Sequence, residues 1–129
     1  SDIFVGKDEV LQAVSDGSTI ILNALTEDLH KGRNTRYGRP GRIPNSVNIP
    51  FHELIKPDTG KFKSPSEVTQ IFADKDVHSE LKILNYCGGG IAATLNAFVL
   101  RQMGFSHIQI YDNSMSEWAM DEKLPIEVD

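Results

Sequence analysis

Residues Ile83-Leu84-Asn85-Tyr86-Cys87-Gly88-Gly89-Gly90 limit the possible folds of this chain more than any others, because an apolar run meets a glycine-rich turn at the only cysteine. Directly after the turn, Ile91, Leu95, Phe98, Val99 and Met103 recur at helical spacing, which predicts an amphipathic helix. The unit is therefore strand, tight turn, helix, with Cys87 at the strand end. Glycine reaches positive φ without steric cost, so the amides of Gly88 to Ala92 can curl around the sulfur. Amides converging at a helix N-terminus favour an anion at their focus: a thiolate, a persulfide or a bound oxyanion. The thiolate is the reactive form of cysteine, and such a position favours it. A free cysteine is often a small buried hydrophobe instead. A packed cysteine has no need of three glycines after it, so the pattern favours a nucleophile.

The rest of the chain repeats the alternation. Lys7 to Ser15 is amphipathic through Val10, Leu11 and Val14 and ends near Gly17, as a short helix should. Thr19 to Leu25 is a continuous apolar run that fits a buried parallel strand. Ser46 to Ile49 reads as a brief strand before Pro50. Ser64-Pro65-Ser66-Glu67 carries a capping residue, a proline at the first helical position and a glutamate at the third, starting a helix to about Ala73. Lys82 to Tyr86 and His107 to Tyr111 read as strands, and Ser114 to Met120 as a last helical turn or two. Strands alternating with helices predict an α/β domain with a parallel sheet covered on both faces. At 129 residues the chain fits one domain.

Charge and cysteine usage exclude several classes. Thirteen basic against eighteen acidic residues leave a net charge of −5, contrary to the basic footprint of nonspecific nucleic-acid binding. No apolar run reaches the length of a membrane span, and no signal peptide is expected. One cysteine forms no internal disulfide, so a cytoplasmic location is expected. Ser1 reads as a cloning scar, and the missing initiator Met suggests a processed or excised segment. His30, His52, His78 and His107 are scattered, so no metal site is expected, and no cofactor is implied.

In an open parallel sheet, ligands bind at the carboxyl ends of the strands, where Cys87 lies; Asn23 to Leu25 and Asp112 should end neighbouring strands at the same edge. The segment from Lys31 to Arg42 leaves that edge with Lys31, Arg33, Arg36, Arg39 and Arg42 and no acidic residue. Arginine suits oxyanions geometrically, so this loop is a candidate for capturing an anionic substrate, with a solvated flexible loop as the plain alternative. The arginine with which a cysteine phosphatase holds phosphate would fall on Ala93, and the first arginine after the cysteine is Arg101. A phosphate-binding GxxxxGK[ST] loop is absent. Gly88-x-Gly90-x-x-Ala93, with Asp112 about twenty residues on, formally satisfies a relaxed dinucleotide fingerprint. That turn follows a late strand, which leaves room for only one more, so nucleotide binding is the weaker reading.

These residues together resemble the rhodanese-type sulfurtransferases. Asn85-Tyr86-Cys87-Gly88-Gly89-Gly90-Ile91-Ala92 is similar to their active-site loop, and Gly41 to Pro50 (GRIPNSVNIP) to their G-H-I-P-G-A-x-N-I-P segment. Tyr111 to Trp118 (YDNSMSEW) resembles Y-D-G-S-W-x-E-W, and Leu124-Pro125-Ile126-Glu127 the closing L-P-x-E. Gly60 to Glu67 (GKFKSPSE) is similar to a stretch of the catalytic second domain in tandem rhodaneses. The resemblance covers about residues 19–128 in order. It implies a three-layer rhodanese-like domain around a mostly parallel sheet of about five strands, occupying residues 1–129, excised from a longer tandem protein with a neighbouring rhodanese domain. It also implies sulfur transfer by double displacement. Cys87 would take the outer sulfur of a small anionic donor, thiosulfate or 3-mercaptopyruvate, as a persulfide. A thiol or cyanide acceptor would then remove it. Gly88, Gly89, Gly90, Ile91 and Ala92 would cradle that sulfur, and Arg36 and Arg39 would attract the donor. The loop length from Cys87 to Ala92 suits sulfur; phosphatase relatives have one residue more.

The chain departs from the family where charge is concerned. The usual Asp-x-Arg after the first strand is Asn23-Ala24-Leu25, and a further arginine that binds substrate anions in tandem enzymes falls on Leu29. The histidine of G-H-I-P is Arg42, and the glycine after Asp112 is Asn113. Either the basic loop replaces the lost charge, or the domain is a weak catalyst that binds partners or supports another domain.

Overall fold

The computed structural model describes residues 3–129. Its sheet has five strands, β1 (Phe4–Val5), β2 (Thr19–Asn23), β3 (Val47–Asn48), β4 (Lys82–Tyr86) and β5 (Ile108–Tyr111), in the order β1-β5-β4-β2-β3. Every pairing is parallel, so the sheet is wholly rather than mostly parallel. Five α-helices intervene: α1 (Lys7–Asp16), α2 (Glu27–Lys31), α3 (Pro65–Ala73), α4 (Ile91–Gln102) and α5 (Ser114–Trp118), with a 3-10 turn at Phe51–Leu54.

Parallel strands covered on both faces carry near-continuous apolar side chains, and alternate residues must enter different cores. Along β4, Ile83 joins Val68 and Phe72 of α3 and Ala93, Ala97 and Leu100 of α4 in one core, and Cys87 past its end belongs to the same side. Leu84 and Tyr86 join Val10 of α1 and Met115 and Trp118 of α5 in the other. The result is the expected three-layer α/β arrangement.

Local signals account for the helix ends. Ser64 accepts from the amide of Glu67 at 3.3 Å, and the Glu67 carboxylate accepts from the amide of Ser64 at 3.0 Å. Pro65 occupies the first turn, where its missing N–H costs nothing. Gly17 closes α1 in the left-handed region at φ 73°. Three elements differ from expectation. The strand expected over Ser46 to Ile49 pairs only at Val47 and Asn48; α2 and β1 were not anticipated.

Candidate active site

The cysteine loop leaves β4 at Tyr86 and enters α4 at Ile91. Cys87 is 3% exposed, and its Sγ accepts from the amide of Gly90 at 3.0 Å and from that of Ala93 at 3.4 Å. The sulfur thus stands in for the acceptors that first-turn amides lack. The amides of Gly88, Gly89, Ile91 and Ala92 bond no acceptor among the described residues and remain free donors around the same turn. Gly90 belongs to the expected cradle; Ala93, which also donates, does not.

A second strand end braces this loop. Ser114, fully buried at the start of α5, donates its hydroxyl proton to the carbonyl of Tyr111 at 2.7 Å and accepts from the amide of Cys87 at 3.0 Å. The amides of Met115 and Ser116 donate to the carbonyls of Cys87 and Gly88 at 2.9 and 3.0 Å. Ser114 holds φ at 53°, rare for a residue with a side chain, and this turns its hydroxyl back toward the cysteine. Asp112 lies against Gly90, and the phenol of Tyr37 lies against Gly88. The motif containing Ser114 was legible in the sequence, but its contact with Cys87 was not. Tyr37 carried no signal beyond its place in the basic loop.

The basic loop divides, and only part of it faces the cleft over Cys87. Arg36 is exposed, stacks 5.4 Å from the centroid of Tyr37 and lines the cleft over Cys87. Arg39 does not face that cleft. Its guanidinium donates to the carbonyls of Ala119 at 3.0 Å, Trp118 at 3.1 Å and Asp121 at 2.7 Å. Its five donors in a planar fork suit this clamp, and the expected donor-binding role is corrected accordingly. Arg42 pairs with Glu127 at 3.0 Å and Asp129 at 2.7 Å, and Lys31 with Glu27 at 2.8 Å. Arg33 is exposed and lies outside the cleft lining. Replacing Arg39 with methionine should therefore cost about 2–4 kcal/mol of stability, since three carbonyls lose a charged donor. Thermal unfolding measures this; an unchanged melting temperature together with a raised KM would restore the substrate role.

At the end of β2, Asn23 takes up the turn in which the family places an aspartate. Its Oδ1 accepts from the amide of Leu25 at 2.9 Å, while its Nδ2 lies 3.0 Å from Nδ1 of His30. That contact requires a neutral imidazole with the proton on Nε2. Burial, reinforced by the Arg42 charge, pulls His30 down to about 4. A histidine lowered on folding contributes stability that is complete above its unfolded value of 6.5 and is lost as the pH falls toward 4. Solvent screening of the half-buried ring limits that loss to about 1–2 kcal/mol. Urea titrations at neutral and mildly acidic pH should show the parent losing more stability than His30→Gln by that amount. Equal losses would show that His30 does not titrate in this window. Leu29, where tandem enzymes have an arginine, is buried.

The cleft that reaches Cys87 has a volume of about 510 Å³, and besides Arg36 and Tyr37 its walls include Leu25, Phe51, Ile91 and Leu95. No cluster of three potential metal ligands occurs among the described residues, and none of their helices is long and apolar enough to cross a membrane.

Comparison with known proteins agrees with this geometry. The model of the rhodanese-like domain family matches residues 7–121. The chain is 32% identical over 89 residues to the 3-mercaptopyruvate sulfurtransferase of Escherichia coli (strain K12), covering 69% of this chain and 31% of that protein. It is 40% identical over 84 residues to the 3-mercaptopyruvate sulfurtransferase of Mus musculus, covering 63% and 27%. The matched part thus spans about a third or less of these relatives. The anaerobic ergothioneine biosynthesis enzyme from Chlorobium limicola, solved with trimethyl histidine, superposes with a TM-score of 0.88 at 19% identity over 98% of this chain and 32% of that one. The latter likeness concerns the fold. With a glycine cradle around one cysteine at the end of a parallel strand and a family match across most of its length, the chain belongs to the rhodanese-like domain family.

Proposed function

We propose that this chain moves a sulfane sulfur from a small anionic donor to a thiophilic acceptor through a persulfide on Cys87. With thiosulfate, the Cys87 thiolate attacks the outer sulfur. A new S–S bond forms, the bond to the sulfonyl sulfur breaks, and sulfite leaves with the electron pair. With 3-mercaptopyruvate the Cys87 thiolate takes the thiol sulfur, the C–S bond breaks, and pyruvate leaves with the electron pair as its enolate, which a proton from water then quenches. Cyanide, or a thiolate, then attacks the outer persulfide sulfur and leaves as thiocyanate or as a new persulfide, restoring the Cys87 thiolate. Each step conserves charge and needs no redox partner.

The observation that carries the reading is the pair of amides on Sγ with four further amides free in the same turn. An anionic sulfur one bond further out than Sγ finds donors already fixed, so little reorganisation accompanies the transfer. Burial of Cys87 also keeps bulk water from the reactive anion. The test is mass spectrometry of the intact protein after thiosulfate and after 3-mercaptopyruvate. One added sulfur on Cys87, removed by cyanide, is expected. Absence of that sulfur with every donor would refute persulfide transfer and favour a partner-binding module.

A further inference from the structure

We infer that the hydroxyl of Tyr37 is a catalytic group of the sulfur-loading step, giving its hydrogen bond to the anion that leaves as Cys87 takes the sulfur. This rests on the persulfide chemistry proposed above and adds a side chain to it. Tyr37 lines the cleft over Cys87 together with Gly88 and Gly89. Its phenol fills the space that a side chain at position 88 would need, since a Cβ on Gly88 would overlap both the hydroxyl oxygen and the ring. Gly88 has no positive φ, so its backbone conformation does not require glycine. The approach of Tyr37 does.

The phenol is fixed from several directions. Its ring packs against the core that includes Val10 of α1 and Met115 and Trp118 of α5, and the Arg36 guanidinium lies 5.4 Å from its centroid. Two residues on, Arg39 ties the loop to the carbonyls of Trp118, Ala119 and Asp121. Of the three tyrosines, Tyr86 bonds the amide of Ile43 and the hydroxyl of Ser46, and Tyr111 donates to Glu117. The hydroxyl of Tyr37 has no hydrogen-bond partner among the described residues and remains a free donor at the cleft.

During loading, negative charge moves from the Cys87 sulfur onto the leaving group. It gathers on the sulfite oxygens when thiosulfate is the donor, and on the enolate oxygen when 3-mercaptopyruvate is. A hydroxyl fixed beforehand at the cleft bonds that oxygen more tightly as its charge grows, which lowers the barrier. The proton stays on the phenol, and the anion departs with its electron pair. Discharge differs, because its leaving group is the Cys87 thiolate, held by the amides of Gly90 and Ala93. The hydroxyl therefore acts in one half of the cycle only.

The experiment measures the two halves separately in Tyr37→Phe, which keeps the ring and removes only the donor. Loading from thiosulfate and from 3-mercaptopyruvate is followed by mass spectrometry of rapidly quenched samples. Discharge by cyanide is followed on protein loaded beforehand with inorganic polysulfide. Loading should slow by about tenfold or more with each donor, while discharge stays within about twofold of the parent rate and the urea midpoint is unchanged. Gly88→Ala, whose methyl displaces the hydroxyl, should give the same split if Tyr37→Phe folds poorly. Loading at the parent rate, or equal slowing of both halves, would overturn the inference while leaving persulfide transfer standing. A parent chain that takes sulfur from none of the three compounds would instead overturn the transfer reading, and this one with it.

Discussion

Replacing Cys87 with serine is expected to lower sulfur transfer by about four orders of magnitude or more while leaving the fold in place. A serine oxygen held in the same cradle cannot carry a sulfane sulfur, so no intermediate forms for the acceptor to discharge. The fold should survive because the amides of Gly90 and Ala93 would still find an acceptor, now a hydroxyl oxygen, and the volume change is small. Thiocyanate production from thiosulfate and cyanide measures the first effect, and urea unfolding the second. Residual transfer near the parent rate would mean that sulfur passes directly from donor to acceptor within the cleft. Loss of transfer with loss of the fold would mean that Cys87 acts mainly as a buried apolar group, the alternative its sequence context argued against.

What the sequence disclosed and what it withheld divide along the range of the interactions. The Ser64 capping box, the left-handed Gly17 and the alternation along β4 are local, and each element they specify forms where expected. The two residues of β1 have little identity of their own; Phe4 and Val5 are a strand because Ile110 and Tyr111 are there to pair with them. The cradle was legible as to its atom and its glycines, since the strand-turn-helix pattern is contiguous. The basic loop was not. Its charges are visible in the sequence, but the carbonyls that occupy Arg39 lie 79 to 82 positions away, and a guanidinium looks the same whether it faces substrate or its own backbone. Ser114 was missed for a related reason. Its role depends on a backbone twist at φ 53° that aims a hydroxyl at an amide 27 residues earlier.

The three glycines after Cys87 are expected to differ sharply when each is changed to alanine, with Gly90→Ala the most damaging. Gly90 sits at φ 97°, and a Cβ there would meet the carbonyl oxygen of Asp112 at 2.5 Å and its carboxylate oxygen at 2.6 Å. The carbonyl is the decisive obstacle, because backbone cannot swing aside as the Asp112 side chain can. Left-handed strain and the clash together should cost about 3 kcal/mol or more. The same shift moves the amide that donates to Sγ, so persulfide formation should slow in the fraction that remains folded. At Gly88 the obstacle is the Tyr37 ring, a side chain that can give way, and about 1–2 kcal/mol is expected. At Gly89 an added methyl meets nothing and the backbone needs no positive φ, so the change should stay within about 0.5 kcal/mol. Urea unfolding of the three variants, with the rate of sulfur loading on each, gives the ordering. A loop that needs glycine only for flexibility would make the three substitutions alike; a cradle held rigid by Asp112 and Tyr37 makes them unequal in this order.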